Sequence, residues 1–397
     1  MDTGRVPAVR RAVTTAAAAA LLLAGCAAGP APGGAPSSVP GETPWAGPAP
    51  ALEVEAVVED LELAWDVAPL PGGGVLVTER GGRLLVHDDR GTREVAADLG
   101  DLFVGSEAGL MGLALAPDFE RSRELFLCHA AQEDGRPRDV RVTRWRLAGD
   151  ASAAERTGTV VDGIPLSSGR HSGCRLLVAP DGTLVVGTGD AAQAGNPQDP
   201  DSLGGKTLRV ALDGSVPADN PFADRAGDAA LVHTLGHRNV QGLAVQPGTG
   251  TLWSAEHGPD ADDEVNVLVP GGNYGWDPGP GYDESVPMTD RQAFPDAIGT
   301  AWSSGRPTRA TSGAVFLEGE QWGPWDGALA VAELKNTGVA VHRVDGREIT
   351  GTARMAELED TWGRLRSLAL DADGALWVTT SNGEGDAVLR VAPRSAG

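Results

Sequence analysis

Pro180-Asp181-Gly182-Thr183-Leu184-Val185-Val186 reads as a tight turn running into a β-strand. Asp and Gly supply the positive-φ positions of a hairpin turn, and the aliphatic and β-branched residues that follow fit a pleated, buried strand. The same unit recurs on both sides. Toward the N-terminus stand Ala116-Pro117-Asp118 before Leu125-Phe126-Leu127, and Pro71-Gly72-Gly73-Gly74 before Val75-Leu76-Val77. Toward the C-terminus come Pro247-Gly248 before Leu252-Trp253, Trp325-Asp326-Gly327 before Leu329-Ala330-Val331, and Asp373-Gly374 before Leu376-Trp377-Val378. Six turns at a mean spacing of roughly sixty residues, with little helical patterning, predict an all-β, six-bladed β-propeller of four-stranded antiparallel blades. The spacing exceeds that of a minimal blade, so several loops are enlarged; a seventh blade fits if the stretch 270–310 hides one. A β-sandwich needs fewer strands than this length supplies. Propellers gather blade-connecting loops at one end of the central channel, and a ligand site is expected there.

The first fifty residues have a different character. Arg5, Arg10 and Arg11 precede an apolar run from Ala16 to Leu23, and Leu23-Ala24-Gly25-Cys26 follows. A charged start, a short apolar core and small residues before a cleavage point predict a signal peptide over 1–25. The Leu-Ala-Gly-Cys ending predicts its lipoprotein form, with Cys26 as the lipid-attachment site and mature N-terminus. Residues 26–50, rich in Ala, Pro and Gly, read as a flexible tether that builds no core, and 51–397 as one domain. The formal net charge is −23, and −25 without residues 1–25. Such an acidic body repels nucleic acid and anionic lipid. The expected location is therefore extracytoplasmic, with the membrane reached only through the lipid anchor. Two cysteines remain in the body, Cys128 and Cys174, and an even pair in an oxidising compartment predicts a disulfide.

Two stretches hold the residue types that do chemistry. Gly169-Arg170-His171-Ser172-Gly173-Cys174-Arg175 precedes one strand of the Pro180 hairpin, and the other strand ends in Gly187-Thr188-Gly189-Asp190. The start of one hairpin strand returns beside the end of the next, so His171 and Asp190 can meet. A carboxylate on one ring nitrogen would leave the other as a general base. The second stretch, 235–276, sets Arg238–Asn239 ahead of a turn dense in oxygen donors. That turn offers the carboxylates of Glu256, Asp260, Asp262, Asp263 and Glu264, and the carbonyls of Gly258–Pro259. Clustered oxygens suit Ca²⁺, and an arginine suits an anion. Together they predict a small anionic ligand held by calcium and guanidinium. Lys206, in Gly204-Gly205-Lys206, lacks the spacing of a phosphate loop and reads as part of a tight strand turn.

His171-Ser172-Gly173-Cys174-Arg175-Leu176, Thr188-Gly189-Asp190, Ser202–Arg209, Gly236-His237-Arg238-Asn239-Val240-Gln241-Gly242-Leu243, Glu256-His257-Gly258-Pro259 and Gly272-Asn273-Tyr274-Gly275-Trp276 occur in this order. In that series the chain resembles the soluble, PQQ-dependent aldose sugar dehydrogenases of the glucose/sorbosone dehydrogenase family, from roughly Leu61 to Pro393. The resemblance implies a six-bladed propeller that oxidises aldoses at C1 to lactones, by hydride transfer to PQQ with Ca²⁺ assistance. An unidentified acceptor would then take the electrons. It implies His171 as the base, Asp190 as its orienting partner, and Arg238 with Asn239 at the reactive carbonyl edge of the cofactor. Glu107 falls where the family has Gln or a similar polar residue near the quinone. Lys335, Arg364 and Arg366 match cations that hold the cofactor's carboxylates. Gly258 and Pro259 match carbonyl ligands of the cofactor-site Ca²⁺, with Asp263 beside them; Glu264 and the Tyr274 carbonyl match a second calcium site of some relatives.

Three positions depart from the family pattern. Glu107 is acidic beside the quinone, Ser367 stands where relatives often carry Asp, and Cys174 replaces a usual Gly, with Cys128 as its expected partner. Trp302 and Trp322 fall in expected loops and are candidates for stacking on sugar at the channel mouth. Two other functions stay open on the sequence. A calcium-dependent sugar lactonase would need metal and base but no carboxylate-binding cations. A non-catalytic propeller lipoprotein binding sugar or cell wall would have no use for His171, Arg238 and the calcium turn together.

Overall fold

Every one of the six turns joins two antiparallel strands in the computed structural model, which describes Trp45 and residues 47–394. The pairs are Ala64–Pro69 with Val75–Glu79, Leu110–Leu115 with Glu124–Glu133, and Gly173–Val178 with Thr183–Thr188. They continue with Val240–Val245 and Leu252–Glu256, Thr311–Phe316 and Leu329–Glu333, and Leu365–Leu370 and Leu376–Thr380. Four four-stranded sheets and one eight-stranded sheet result. The eight-stranded sheet consists of two antiparallel four-stranded halves, joined by a short parallel contact at Ala96–Ala153 and Ala97–Ala154. The fold is all-β.

The second strands Val75–Glu79, Thr183–Thr188, Leu329–Glu333 and Leu376–Thr380 are buried along their whole length. Both faces of these strands are covered, which is why they read as continuous apolar runs without polar alternation. The first strands pack on one another in chain order, and Leu365–Leu370 packs back on Ala64–Pro69. Together they surround a cavity of about 530 Å³, to which every first strand contributes. The N-terminal strand Leu52–Leu61 pairs with the C-terminal strand Asp386–Pro393, so the two ends of the domain share a sheet.

A buried ion pair crosses this cavity. Arg175 donates to Asp66 Oδ1 at 2.7 Å, to Ser367 Oγ at 3.0 Å and to the Gln241 carbonyl at 2.8 Å, with its guanidinium 4.3 Å from the centre of a Trp65 ring. Ser367 also donates to Asp66 Oδ1. The serine therefore needs no charge of its own, because Asp66 brings the carboxylate from another strand. Cys128 and Cys174 form a disulfide with Cα atoms 5.7 Å apart, tying the strand Glu124–Glu133 to Gly173–Val178.

Several expectations change. The stretch 270–310 adds one two-residue strand, Trp302–Ser303, to an existing sheet, and no further sheet. Trp322 is fully buried, its indole donating to the Gly374 carbonyl within an apolar cluster that includes Trp325 and Leu376; it is core and not a mouth residue. Trp302 is half-buried beside His342, with Arg309 over its ring, and likewise packs between strands. Trp45, within the expected tether, packs on the core cluster under Arg343, because an indole gains more by burial than an Ala/Pro/Gly chain does. The signal peptide 1–25 and Cys26 lie outside the described residues.

Candidate active site

One geometric rule places the chemistry. Residues just before a first strand and just after a second strand meet at the same mouth, because the two strands are antiparallel. His171 precedes Gly173–Val178 and Asp190 follows Thr183–Thr188, and Gly173 pairs with Thr188. His171 Nδ1 lies 2.8 Å from Asp190 Oδ1. Both residues are buried, and Nδ1 bonded to an anion carries the proton, which leaves Nε2 as the open acceptor. The approach is close: a Cβ on Gly189 would fall 1.9 Å from the His171 carbonyl, so only glycine fits there.

Asp190 takes three further donors: the Ala192 N–H on Oδ1, and the Trp276 indole and Tyr282 hydroxyl on Oδ2, at 2.7–2.8 Å. Tyr282 Oη also lies 2.8 Å from His171 Nδ1. Glu107 joins the floor of the site, accepting from the His171 N–H at 3.2 Å and from Asn239 Nδ2 at 3.1 Å. Asn239 Oδ1 in turn accepts from Gly173 N–H and Gln241, and Gln241 accepts from Arg366. The structure thus brings His171, Asp190, Glu107, Asn239 and Arg366 into one network.

Arg238 is almost fully buried. It donates to the His257 carbonyl at 3.1 Å and to Glu284 at 2.5 Å, while its Nε has no partner. Burial, then the neighbouring Arg238, Arg366, His171 and Arg364, hold the His257 imidazole well below its usual range. Burial, and after it Arg175, push Arg366 down to about 9; Glu107 opposes, and Arg364 and Arg80 add to the shift. Arg80, Arg238, Arg364 and Arg366 therefore share one electrostatic neighbourhood, within a chain of formal charge −23. Lys335 stands at the same end, exposed after the strand Leu329–Glu333, with its amine on Thr308 at 3.2 Å. No hydrogen bond joins the Lys335 amine to these four arginines. Arg80, Tyr282 and Glu284 were missed by the sequence reading. Gln241, His257 and Trp276 sat in recognised motifs but carried no assigned role.

At the oxygen-rich turn, Asp263 accepts the N–H groups of Gly258, Arg309 and Ala310, at 2.9, 2.5 and 2.6 Å. Burial raises its pKa despite these bonds. Its carboxylate shapes the turn, and a Cβ on Gly258 would fall 2.0 Å from the Ala261 carbonyl. Deeper, Asn266 Nδ2 bridges Glu256 and Glu264 at 3.0 and 3.2 Å, and its buried Oδ1 has no partner. Burial, then Glu256, push Glu264 well above the usual carboxylate range. Tyr274 stacks on His237, which bonds Glu256 at 2.8 Å. No three His, Cys, Asp or Glu side chains converge as a metal cluster among the described residues, so a cation at the turn would rest on backbone carbonyls. Carbonyls beside buried carboxylates fit calcium. The partnerless Arg238 Nε and the arginine cluster fit an anionic cofactor. Lys206 binds no ligand site: its amine donates to the carbonyls of Asn196, Pro197 and Gly204 and braces that loop.

The family model of glucose / sorbosone dehydrogenases matches residues 61–390. The chain belongs to the glucose/sorbosone dehydrogenase family. Among the relatives of this family member is an aldose sugar dehydrogenase of Escherichia coli K12, 33% identical over 88% of this chain and 95% of the relative. The crystal structure of the soluble aldose sugar dehydrogenase from Escherichia coli, in the apo-form, superposes with a TM-score of 0.78 at 32% identity, covering 87% of this chain and 100% of that one. The PQQ-bound aldose sugar dehydrogenase from Streptomyces coelicolor gives a TM-score of 0.72 at 28% identity, over 87% of this chain and 100% of that one.

Proposed function

We propose that this protein is a PQQ-dependent aldose dehydrogenase that oxidises the anomeric carbon of sugars to lactones, with Ca²⁺ at the Gly258–Pro259 turn. One observation carries the reading: a carboxylate-held imidazole and a cluster of arginines occupy the same mouth of an otherwise acidic protein. His171 Nε2 takes the hydroxyl proton of the sugar, and Asp190 steadies the imidazolium that forms. Arg238, fixed by the His257 carbonyl and Glu284, stabilises negative charge as it develops. Arg364, Arg366 and Lys335 balance cofactor carboxylates, with a cation about 4 Å from one contributing on the order of 4 kcal/mol at an effective dielectric of 20. When bound, PQQ supplies the two-electron sink and Ca²⁺ the Lewis acid. The names of the E. coli and Streptomyces relatives support sugar oxidation, and that of the Streptomyces enzyme supports PQQ.

The same reading makes the domain a six-bladed propeller, supported by the ring of six first strands, with the eight-stranded sheet taken as two blades. A crystal structure with another number of radial sheets would sink that count. It also keeps a signal peptide over 1–25, a tether, and a lipid on Cys26 that holds the enzyme extracytoplasmically. No helix among the described residues is long and apolar enough to cross a membrane. Loss of lipid labelling in Cys26→Ser tests the anchor.

The deciding experiment adds PQQ and Ca²⁺ to metal-stripped protein, then aldoses and an artificial electron acceptor. Dye reduction needs both additions and disappears in His171→Ala. Dye reduction without quinone, or lactone hydrolysis in its place, would refute the reading.

A further inference from the structure

Tyr282 reaches the base from a segment that contributes neither strand nor helix. Its hydroxyl donates to Asp190 Oδ2 at 2.7 Å and lies 2.8 Å from His171 Nδ1. We propose that Tyr282 is a positioning residue that sets the basicity of His171 by sharing the Asp190 carboxylate. The inference rests on the reading of His171 as the base, and deepens it.

Asp190 has no exposed surface and four donors around it. The three donors besides His171 draw charge from the carboxylate and so weaken its hold on the imidazolium. Of the two donors on Oδ2, the Trp276 indole is fully buried and fixed by packing. Tyr282 arrives from a loop, with its ring 6.0 Å from the imidazole and 6.4 Å from the indole. Its backbone holds φ at +60°, a conformation costly for a bulky residue and maintained here by the contacts it makes. Burial, then Asp190, push the phenol well above its usual range, so it stays protonated and a donor to Asp190.

Other charges also face His171. Glu107 accepts its N–H, Arg170 precedes it and pairs with Glu284, and Arg238 and the His257 imidazole lie beyond. None of these bonds to the Asp190 carboxylate or to the His171 ring. Removing the Tyr282 hydroxyl takes a neutral oxygen away from Nδ1–H but leaves the anionic Asp190, at the same 2.8 Å, with more charge to exert on it, and the anion outweighs the neutral acceptor. The imidazolium is then favoured, and His171 becomes more basic.

The test is an NMR titration of the His171 ring in the quinone-free protein with labelled histidine, its signal identified by loss in His171→Ala. Tyr282→Phe should raise the titration midpoint by about half a pH unit or more, the scale of one weakened hydrogen bond to a charged group. Tyr282→Leu, which also removes the ring, should shift it in the same direction, while urea midpoints confirm that both variants fold. An unchanged or lowered midpoint in folded Tyr282→Phe overturns the proposal alone, provided His171→Ala is inactive. Sugar oxidation that survives in His171→Ala overturns the base reading, and this proposal with it.

Discussion

Glu284→Gln should tighten quinone binding, because Glu284 already sits on the guanidinium assigned to the cofactor. Its Oε1 lies 2.5 Å from Arg238 Nη2, and both carboxylate oxygens accept from Arg170 at 2.7 Å. A ligand oxygen on another nitrogen of Arg238 would lie about 5 Å from this carboxylate, a repulsion of about 1.5–3 kcal/mol at an effective dielectric of 20–40. Glu284 keeps 33% of its side chain exposed, so solvent screening favours the lower end. That corresponds to about tenfold in Kd. Burial alone would raise the carboxyl, but the hydrogen bonds from Arg170 and Arg238 outweigh it and hold it at about 2, against an ordinary 4.5. The ion pair is therefore complete above the ordinary value and lost only as pH falls through about 2. The gap between wild type and variant should accordingly stay flat from about pH 5 to pH 8. The assay titrates the quinone-free protein with PQQ at fixed Ca²⁺ and follows tryptophan quenching. Asp283→Asn is the control, since that carboxylate caps its own turn at Ser285 and should alter affinity little. Equal or weaker binding by Glu284→Gln refutes the argument; equal tightening by both variants reduces it to net charge.

Two stability predictions follow from the frame that carries the site. Replacing Cys128 and Cys174 together by Ala opens a loop with a sequence separation of 46 and should cost about 4 kcal/mol on the chain-entropy view, read as a lower urea midpoint. An unchanged midpoint would contradict it. Asp66→Ala leaves the buried Arg175 without its carboxylate and should cost about 3–5 kcal/mol in the same assay, whereas Ser367→Ala should cost much less. Equal losses would show that the serine matters there as much as the ion pair, against the argument.

Turn chemistry and strand composition are local, and they made the hairpins legible: every Pro/Asp/Gly turn named from the sequence lies between the first two strands of a four-stranded unit. Hairpin register is local too, and it brought His171 to Asp190. Counting cysteines was enough to pair Cys128 with Cys174. The sequence alone thus determined the strands, the end of the fold where chemistry gathers, and the residue types at that end. Only the tertiary structure decided what surrounds them. Tyr282 and Glu284 come from an irregular loop about a hundred residues beyond His171, and a loop without periodicity carries no signal for where it returns. Asp66, Arg175 and Ser367 meet because three first strands face one cavity, a relation between sheets that no single strand encodes. Trp322 sits in the core for the same reason: its burial depends on the neighbouring sheet closing over it, and pattern along the chain cannot register a contact made between sheets.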